Sequence, residues 1–525
     1  MKIVTGPEGT LTRITCALAL ILLCALLAGC GSSTPTGSTL QRAPQPHAKN
    51  RSRQPRKTAA EPGRPNIVFV LTDDLSWNLV RYMPHVLGME RHGETFSNYY
   101  VTDSLCCPSR ASILTGRFPH NTKVYSNNAP NGGFIIFHNR GEELHTFATS
   151  LQRHGYRTAM MGKYLNGYEP ADVEEGKNTP YVPPGWDEWD VAGDGYPEFN
   201  YTLNSDGHLV KYGHAPSEYL TDVLARKSRA FISSSARRHV PFMLEIATFA
   251  PHAPFVPAPR DAGDFPGLKA PRNPAFDAAN INAPAWLSHF KPLTRPQIQK
   301  LNRQYRRRAQ SVQAVDEMIG EIENELKAKD LSENTYIVFS SDNGLHLGEH
   351  RLLAGKLTAF DSDIRVPLIV VGPSVPQGRK VSAMSENIDL CPTFDQLGGA
   401  PIPRNVDGHS LVGILHGKRQ RNWRKEILVE HRGPDTAPSD PDLPTQGSGN
   451  PSSYEAIRTP NSLYVEYLNG EREYYDLKTD PFELRNIAPD LSPAHMRILH
   501  RTLQRIAHCH GGAQCWRAQH GLTET

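Results

Sequence analysis

The chain has 525 residues, with 38% hydrophobic and 21% charged side chains; this is too long for one small core and suits a globular protein with one large domain and a smaller one. A formal net charge of +3 argues against a nucleic-acid partner, whose footprint is lysine and arginine concentrated on one element. The one dense run, "RQYRRRAQ" (Arg303 to Gln310), lies in a helical pattern and reads as a solvated helix face.

In chain order, Lys2 and Arg13 precede an apolar run from Ile14 to Gly29. The run is short for a membrane span and ends in small residues, so it reads as an export signal. The junction "LAGC" (Leu27 to Cys30) resembles the lipobox of bacterial lipoproteins, which would make Cys30 the lipidated N-terminus of the mature protein. A plain secretory signal is the alternative. Residues 31–63 are rich in Ser, Thr, Pro, Gln and basic side chains, with Glu61 as the single acid; they cannot bury enough apolar surface to fold and read as a tether. Arg51, Arg53, Arg56 and Lys57 would favour an anionic membrane surface. The expected location is extracytoplasmic, anchored by lipid to the bacterial cell membrane.

From Arg64 onward, short apolar runs read as buried parallel strands, each followed by polar residues. "NIVFVL" (Asn66 to Leu71) ends in Thr72, Asp73 and Asp74; "YRTAMM" (Tyr156 to Met161) leads to Gly162, Lys163 and Tyr164; "FMLEIATF" (Phe242 to Phe249) leads to Ala250, Pro251 and His252; "YIVFSS" (Tyr336 to Ser341) ends in Asp342, Asn343 and Gly344. Val312, Val315, Ile319, Ile322 and Leu326 recur at helical spacing before the last of these strands. Strands alternating with helices imply an α/β sheet, whose carboxyl edge is where ligands bind. Asp73, Asp74, Asp342 and Asn343 gathered there would need a cation. All-oxygen ligands select a hard divalent ion, calcium ahead of magnesium.

Between the first two strands lies "DSLCCPSRASILTGR" (Asp103 to Arg117). Pro108 suits the start of a helix and Gly116 its end, which sets Cys106 at a helix N-terminus. Free amides and Arg110, one turn along, favour an anionic group there. The run also matches the signature C-x-P-S-R-x-x-x-L-T-G-R, and the chain is identified as a member of the type I sulfatases. It is most similar to N-acetylglucosamine-6-sulfatases, through "SLCCPSRASILTG", "GKYLNGY", "YLTDVLA", "APHAPF" and "SDNG".

The resemblance implies an alkaline-phosphatase-like fold, a large mixed and mostly parallel sheet flanked by helices, with a smaller antiparallel C-terminal subdomain. It implies that Cys106 is oxidised to Cα-formylglycine by a formylglycine-generating enzyme, and that residue 106 joins Asp73, Asp74, Asp342 and Asn343 around calcium. Arg110, Lys163, His252 and Lys356 match sulfate-binding and acid–base positions. The activity implied is hydrolysis of sulfate esters on sugars, the 6-sulfate of N-acetylglucosamine or glucosamine in particular. The alternatives are a phosphate or phosphonate ester hydrolase of the same fold and a non-catalytic surface glycan-binding protein. Where arylsulfatases carry a histidine two residues after the first lysine, this chain has Leu165, so the base for sulfate release is open. His346 is a candidate to act there or to touch the sugar, or is a loop histidine.

The expected organisation is a signal peptide over 1–29, the anchor and tether over 30–63, the catalytic domain over 64–422 and the C-terminal subdomain over 423–525. In the last, "EILVEH", "YEAIRT", "SLYVEY" and "EREYYDL" read as short strands, the final two joined by the hairpin signal "LNG". The Pro434-to-Ser453 stretch reads as a mobile loop near the substrate opening. In an exported chain Cys509 and Cys515 can close a disulfide loop, or hold zinc with His508 or His510. Cys391 reads as a small buried hydrophobe.

Overall fold

The structure, a computed structural model, describes residues 63–173, 178–418, 420–438 and 440–520. The export signal, Cys30 and all of the tether but Gly63 lie outside the described residues. Among the described residues no helix is long and apolar enough to cross a membrane.

Ten strands form the main sheet: β1 (Asn66–Thr72), β2 (Glu94–Phe96), β3 (Arg157–Lys163), β4 (Glu188–Ala192), β5 (Thr202–Ser205), β6 (His208–Lys211), β7 (Phe242–Ala247), β8 (Thr335–Ser341), β9 (Leu368–Val371) and β10 (Arg379–Val381). Their order is β10-β2-β9-β8-β1-β7-β3-β4-β5-β6. The five central strands from β8 to β4 are mutually parallel, whereas β9, β5 and β6 pair antiparallel to their neighbours. The sheet is therefore mixed and mostly parallel at its centre.

Alternate residues of β1 enter different cores. Ile67, Phe69 and Leu71 pack on one face with Phe147, Leu151 and Phe394, while Val68 and Val70 pack on the other against two helices. Those helices are α2 (Leu220–Arg238) and α3 (Arg295–Ala328). Both faces are covered, which explains why the central strands read as continuous apolar runs rather than as alternating ones. In α3 the start is fixed by a capping box, in which the Thr294 hydroxyl accepts from Gln297 N–H and the Gln297 side chain accepts from Thr294 N–H. Val312, Val315, Ile319, Ile322 and Leu326 supply its buried stripe. The run from Arg303 to Gln310 is not a solvated face throughout: Arg303 and Arg307 are exposed, but Tyr305, Arg308, Ala309 and Gln310 are buried, and the Arg308 guanidinium donates to the Asp74 carbonyl.

A second, four-stranded antiparallel sheet comprises β11 (Ile427–His431), β12 (Tyr454–Arg458), β13 (Ser462–Tyr467) and β14 (Arg472–Asp476). One face, through Ile427, Val429, Ala456, Leu463 and Val465, joins the same core as Phe69. Leu428, Ile457 and Tyr464 on the other face meet Leu499, Leu503 and Ile506 of α4 (Pro493–Ala507). Cys509 and Cys515, just after α4, are joined in a disulfide; their thiols are not available to zinc. Cys391 is buried.

Candidate active site

Strands β1 and β8 are in register to their last residues, Thr72 opposite Ser341, so the next pair on each strand emerges at the same edge. Asp342 N–H donates to the Thr72 carbonyl (3.1 Å), and Asp74 N–H donates to Asp342 Oδ1 (3.2 Å). Asp74 has φ +64°, a left-handed conformation that aspartate tolerates better than most side chains and that is common at functional sites. Lys163 closes β3 at the same edge. The residue before it, Gly162, has φ +100°, and a Cβ there would lie 2.0 Å from the Ala247 carbonyl oxygen; only glycine lets β3 and β7 pair closely enough to bring Lys163 in.

Helix α1 (Cys106–Thr115) starts beneath this edge and is buried throughout. Gly116 ends it in a left-handed turn, its N–H donating to Ser112 O. Ser109 donates its hydroxyl to the Asp342 carbonyl. Arg110 donates from Nε to Asp342 Oδ2 (2.8 Å) and from Nη1 to Lys163 O (2.9 Å). Its Nη2 is buried with no hydrogen-bond partner and lies 3.9 Å from Asp73 Oδ2.

Cys106 and its neighbours form one cluster. The thiol donates to Asp73 Oδ1 (3.1 Å) and accepts from Lys356 Nζ (2.9 Å). Lys356 also donates to Asp74 Oδ1 (2.7 Å), and Lys163 to Asp73 Oδ2 (2.6 Å). Burial, then the charges of Asp342, Asp442 and Asp73, push the Cys106 thiol well above its usual range. It is held as the neutral thiol, a poor nucleophile. Burial would lower His252, but Asp74, Asp73 and Asp442 outweigh it and lift His252 to about 9. Burial would raise Asp342, yet Arg110, Lys163 and Lys356 hold it down to about 2.

Asp73, Asp74, Cys106 and His252 each present a ligand atom, all within 4.8 Å of one another; the two carboxylates suit a hard divalent cation, while the thiol and the imidazole are softer donors. Asn343 donates from Nδ2 to Asp74 Oδ1 (2.6 Å), while its Oδ1 is buried without a hydrogen-bond partner. A buried amide oxygen left without a partner beside Asp74 is a group that a calcium-like ion would satisfy.

Each residue anticipated for this edge is therefore found there except His346. That ring is buried, with Nδ1 on Asp363 (2.9 Å) and Nε2 on the Ser448 carbonyl (2.9 Å). Leu165 packs in the core and brings no base. Asn166 beside it donates to the Tyr196 hydroxyl (3.2 Å).

Two residues escaped sequence reasoning. Tyr196 covers the Lys163 ammonium at 5.0 Å and lies 4.5 Å from the His252 ring. Asp442, from the loop after β11, meets His252 Nε2 (2.6 Å) and Lys356 Nζ (2.9 Å). A cavity of about 150 Å³ opens over this group, lined by Asp74, His252, Lys356 and Asp442, with Lys300 and Gln304 of α3 opposite.

Comparison with known proteins gives a consistent picture. A family profile described as "Sulfatase" matches residues 65–400, and one described as "N-sulphoglucosamine sulphohydrolase, C-terminal" matches residues 348–509. The N-acetylglucosamine-6-sulfatase of Homo sapiens is 34% identical over 479 residues, covering 86% of each chain. Among solved structures, BT4656 in complex with its substrate D-glucosamine-2-N,6-O-disulfate superposes with TM-score 0.70 at 24% identity, over 88% of this chain and 100% of that one. A phosphonate monoester hydrolase from Silicibacter pomeroyi superposes with TM-score 0.65 at 23% identity, over 84% and 94% of the two chains. These last two similarities speak for the fold.

Proposed function

The chain belongs to the sulfatase family, and from that premise we propose that it removes the 6-sulfate of N-acetylglucosamine or glucosamine in sulfated carbohydrates, using Cys106 carried as Cα-formylglycine and a bound calcium ion. As a sulfuric ester hydrolase it needs a nucleophile, and the observation that carries the proposal is the placement of Cys106. The thiol sits at the catalytic edge, in contact with Asp73 and Lys356 and clustered with Asp74 and His252. Oxidised to an aldehyde and hydrated, the same position offers two hydroxyls instead of one unreactive thiol.

Asp73, Asp74, Asp342, Asn343 and residue 106 would hold the ion. Calcium there would supply positive charge that acidifies the attacking hydroxyl and steadies the sulfate oxygens. The chain's own groups do the rest. One hydroxyl of residue 106 passes its proton to Asp73, the carboxylate its side chain faces, and attacks sulfur while Arg110 and Lys163 bind sulfate oxygens, the buried Arg110 Nη2 being without a hydrogen-bond partner. The sulfur–oxygen bond to the sugar breaks, and His252 gives its Nε2 proton to the departing alcohol. The neutral His252, in the same cluster as residue 106, then takes the proton of the second hydroxyl, the carbon–oxygen bond to sulfate breaks, and inorganic sulfate leaves with the aldehyde restored. The choice of glucosamine 6-sulfate is supported by the human relative, an N-acetylglucosamine-6-sulfatase.

We place the enzyme outside the cytoplasm, anchored through Cys30 and matured by a formylglycine-generating enzyme. The mass of the peptide carrying Cys106, together with kcat/KM values across sulfated sugars and aryl sulfates, tests the proposal. An aldehyde at 106 and a preference for the glucosamine 6-sulfate are expected. An unmodified thiol in active enzyme would overturn the nucleophile, and a preference for an aryl ester would overturn the substrate.

A further inference from the structure

Asp442 lies 190 residues from His252 in sequence, on a loop outside every recognised motif, yet its carboxylate is fixed from both ends. Oδ1 accepts from His252 Nε2 (2.6 Å) and Lys356 Nζ (2.9 Å). Oδ2 accepts from Asn127 Nδ2 (2.8 Å), and Asn127 Oδ1 in turn accepts the N–H of Cys107, the second residue of α1. The loop itself is pinned: Asp442 N–H donates to Asp440 Oδ1 (2.9 Å), the Ser448 carbonyl faces His346, and Leu353 N–H donates to the Gly447 carbonyl (2.8 Å). The side chain is buried but forms part of the cavity wall.

Its position matters because His252 Nε2 and Lys356 Nζ are the donors that the proposed reaction aims at substrate oxygens. A negative charge resting on them acts on whatever anion arrives. Four carboxylates, Asp73, Asp74, Asp342 and Asp442, face the cations Arg110, Lys163 and Lys356 and the His252 imidazole, which pairs with Asp442 at 2.6 Å. Asp442 places one negative charge against the His252 and Lys356 donors, where the ester oxygen must sit. A sulfate monoester brings a single negative charge, whereas a phosphate monoester brings nearly two at neutral pH. Repulsion therefore falls more heavily on the phosphate ester, on a fold shared with a phosphonate monoester hydrolase.

We propose that Asp442 is a specificity-determining residue that selects singly charged sulfate esters against doubly charged phosphate esters. This rests on the sulfatase reading of the site and adds to it the basis of discrimination. The test compares the mature holoenzyme with its Asp442→Asn and Asp442→Glu forms on the 6-sulfate and the 6-phosphate of N-acetylglucosamine. Where phosphate turnover is too slow to read, its Ki as a competitive inhibitor replaces kcat/KM.

Removing one charge at contact range should move the sulfate-to-phosphate ratio toward phosphate by roughly tenfold or more in Asp442→Asn, and Asp442→Glu should restore the original preference. A ratio that stays constant while both rates fall would mean that Asp442 only supports the loop, and a shift toward sulfate would reverse the assignment; either overturns the proposal. Wild-type enzyme inactive on the sulfate ester but active on the phosphate would instead overturn the substrate reading, and the selection with it.

Discussion

His252 and His346 look alike by the usual marks of a catalytic histidine: each is buried, each faces a carboxylate, and each is raised above the ordinary histidine value despite burial. Their surroundings differ in what is left over. Around His346 the accounts close, because Asp363 accepts from His346, Thr358 and Ser362, and Ser448 takes the second ring nitrogen. The His252 ring is closed as well, with Nδ1 on the Ala253 carbonyl (2.7 Å) and Nε2 on Asp442 (2.6 Å), but the cluster it belongs to is not. Arg110 Nη2 and Asn343 Oδ1 are buried without partners, and the groups that do pair, from Asp73 to Asp442, come from segments far apart in the chain that meet at the sheet edge. A raised value reports a nearby charge; unspent donors and acceptors beside a cavity report a ligand.

The largest effect that would sharpen this contrast is at the cysteine. Cys106→Ala should remove turnover altogether, a loss beyond about 10⁴-fold in kcat/KM, with little change in melting temperature. Cys107→Ala should keep measurable turnover and lower the melting temperature, since Cys107 is a buried core side chain. His252→Ala comes next, with about 10²- to 10⁴-fold lost from kcat on a sugar sulfate. The loss should shrink on an aryl sulfate, whose leaving phenolate needs no proton. Equal losses on both esters would remove His252 from the acid role.

Chelation should act on the same cluster through stability. Three carboxylates, Asp73, Asp74 and Asp342, converge there, and binding of calcium to the folded state alone adds stability in proportion to its affinity. A melting temperature that falls on chelation and recovers with calcium, more strongly than with magnesium, is the expected result; no change in melting would break the metal assignment independently of any activity measurement.

What could be read in advance follows the range of the signal. Asp73 and Asp74, Lys163, and Asp342 with Asn343 each follow a buried strand directly, and the cysteine motif lies within one ten-residue helix, so short windows carry them. Strands β2 and β10 have three residues each, too few to show a period, and β6 is exposed along its whole length. Arg308 was hidden in a basic run, because only the approach of α3 to Asp74 distinguishes it from the exposed Arg303 and Arg307. Asp442 sits in a Pro- and Asp-rich loop, where composition predicts mobility; its role comes from Asn127, His252 and Lys356, none of them near in sequence.

The smallest expected effect separates the two histidines by pH. Burial would lower His346, but Asp363 outweighs it and raises the imidazole above the ordinary histidine value. A histidine whose folded value exceeds its unfolded value contributes stability that is fully present below the unfolded value and is lost as pH rises through the folded one. His346→Gln, which keeps a polar side chain but cannot carry the charge, should therefore melt below wild type by the largest margin at about pH 6, and the margin should narrow as pH climbs past the raised value. Turnover of the folded variant should fall only a few-fold, through the Ser448 contact to the loop that carries Asp442. A margin that is flat with pH would mean that His346 is neutral in the folded protein. A loss of kcat comparable to that of His252→Ala would place His346 among the reacting groups after all, and so erase the distinction between a histidine in a closed cluster and one in an open cluster.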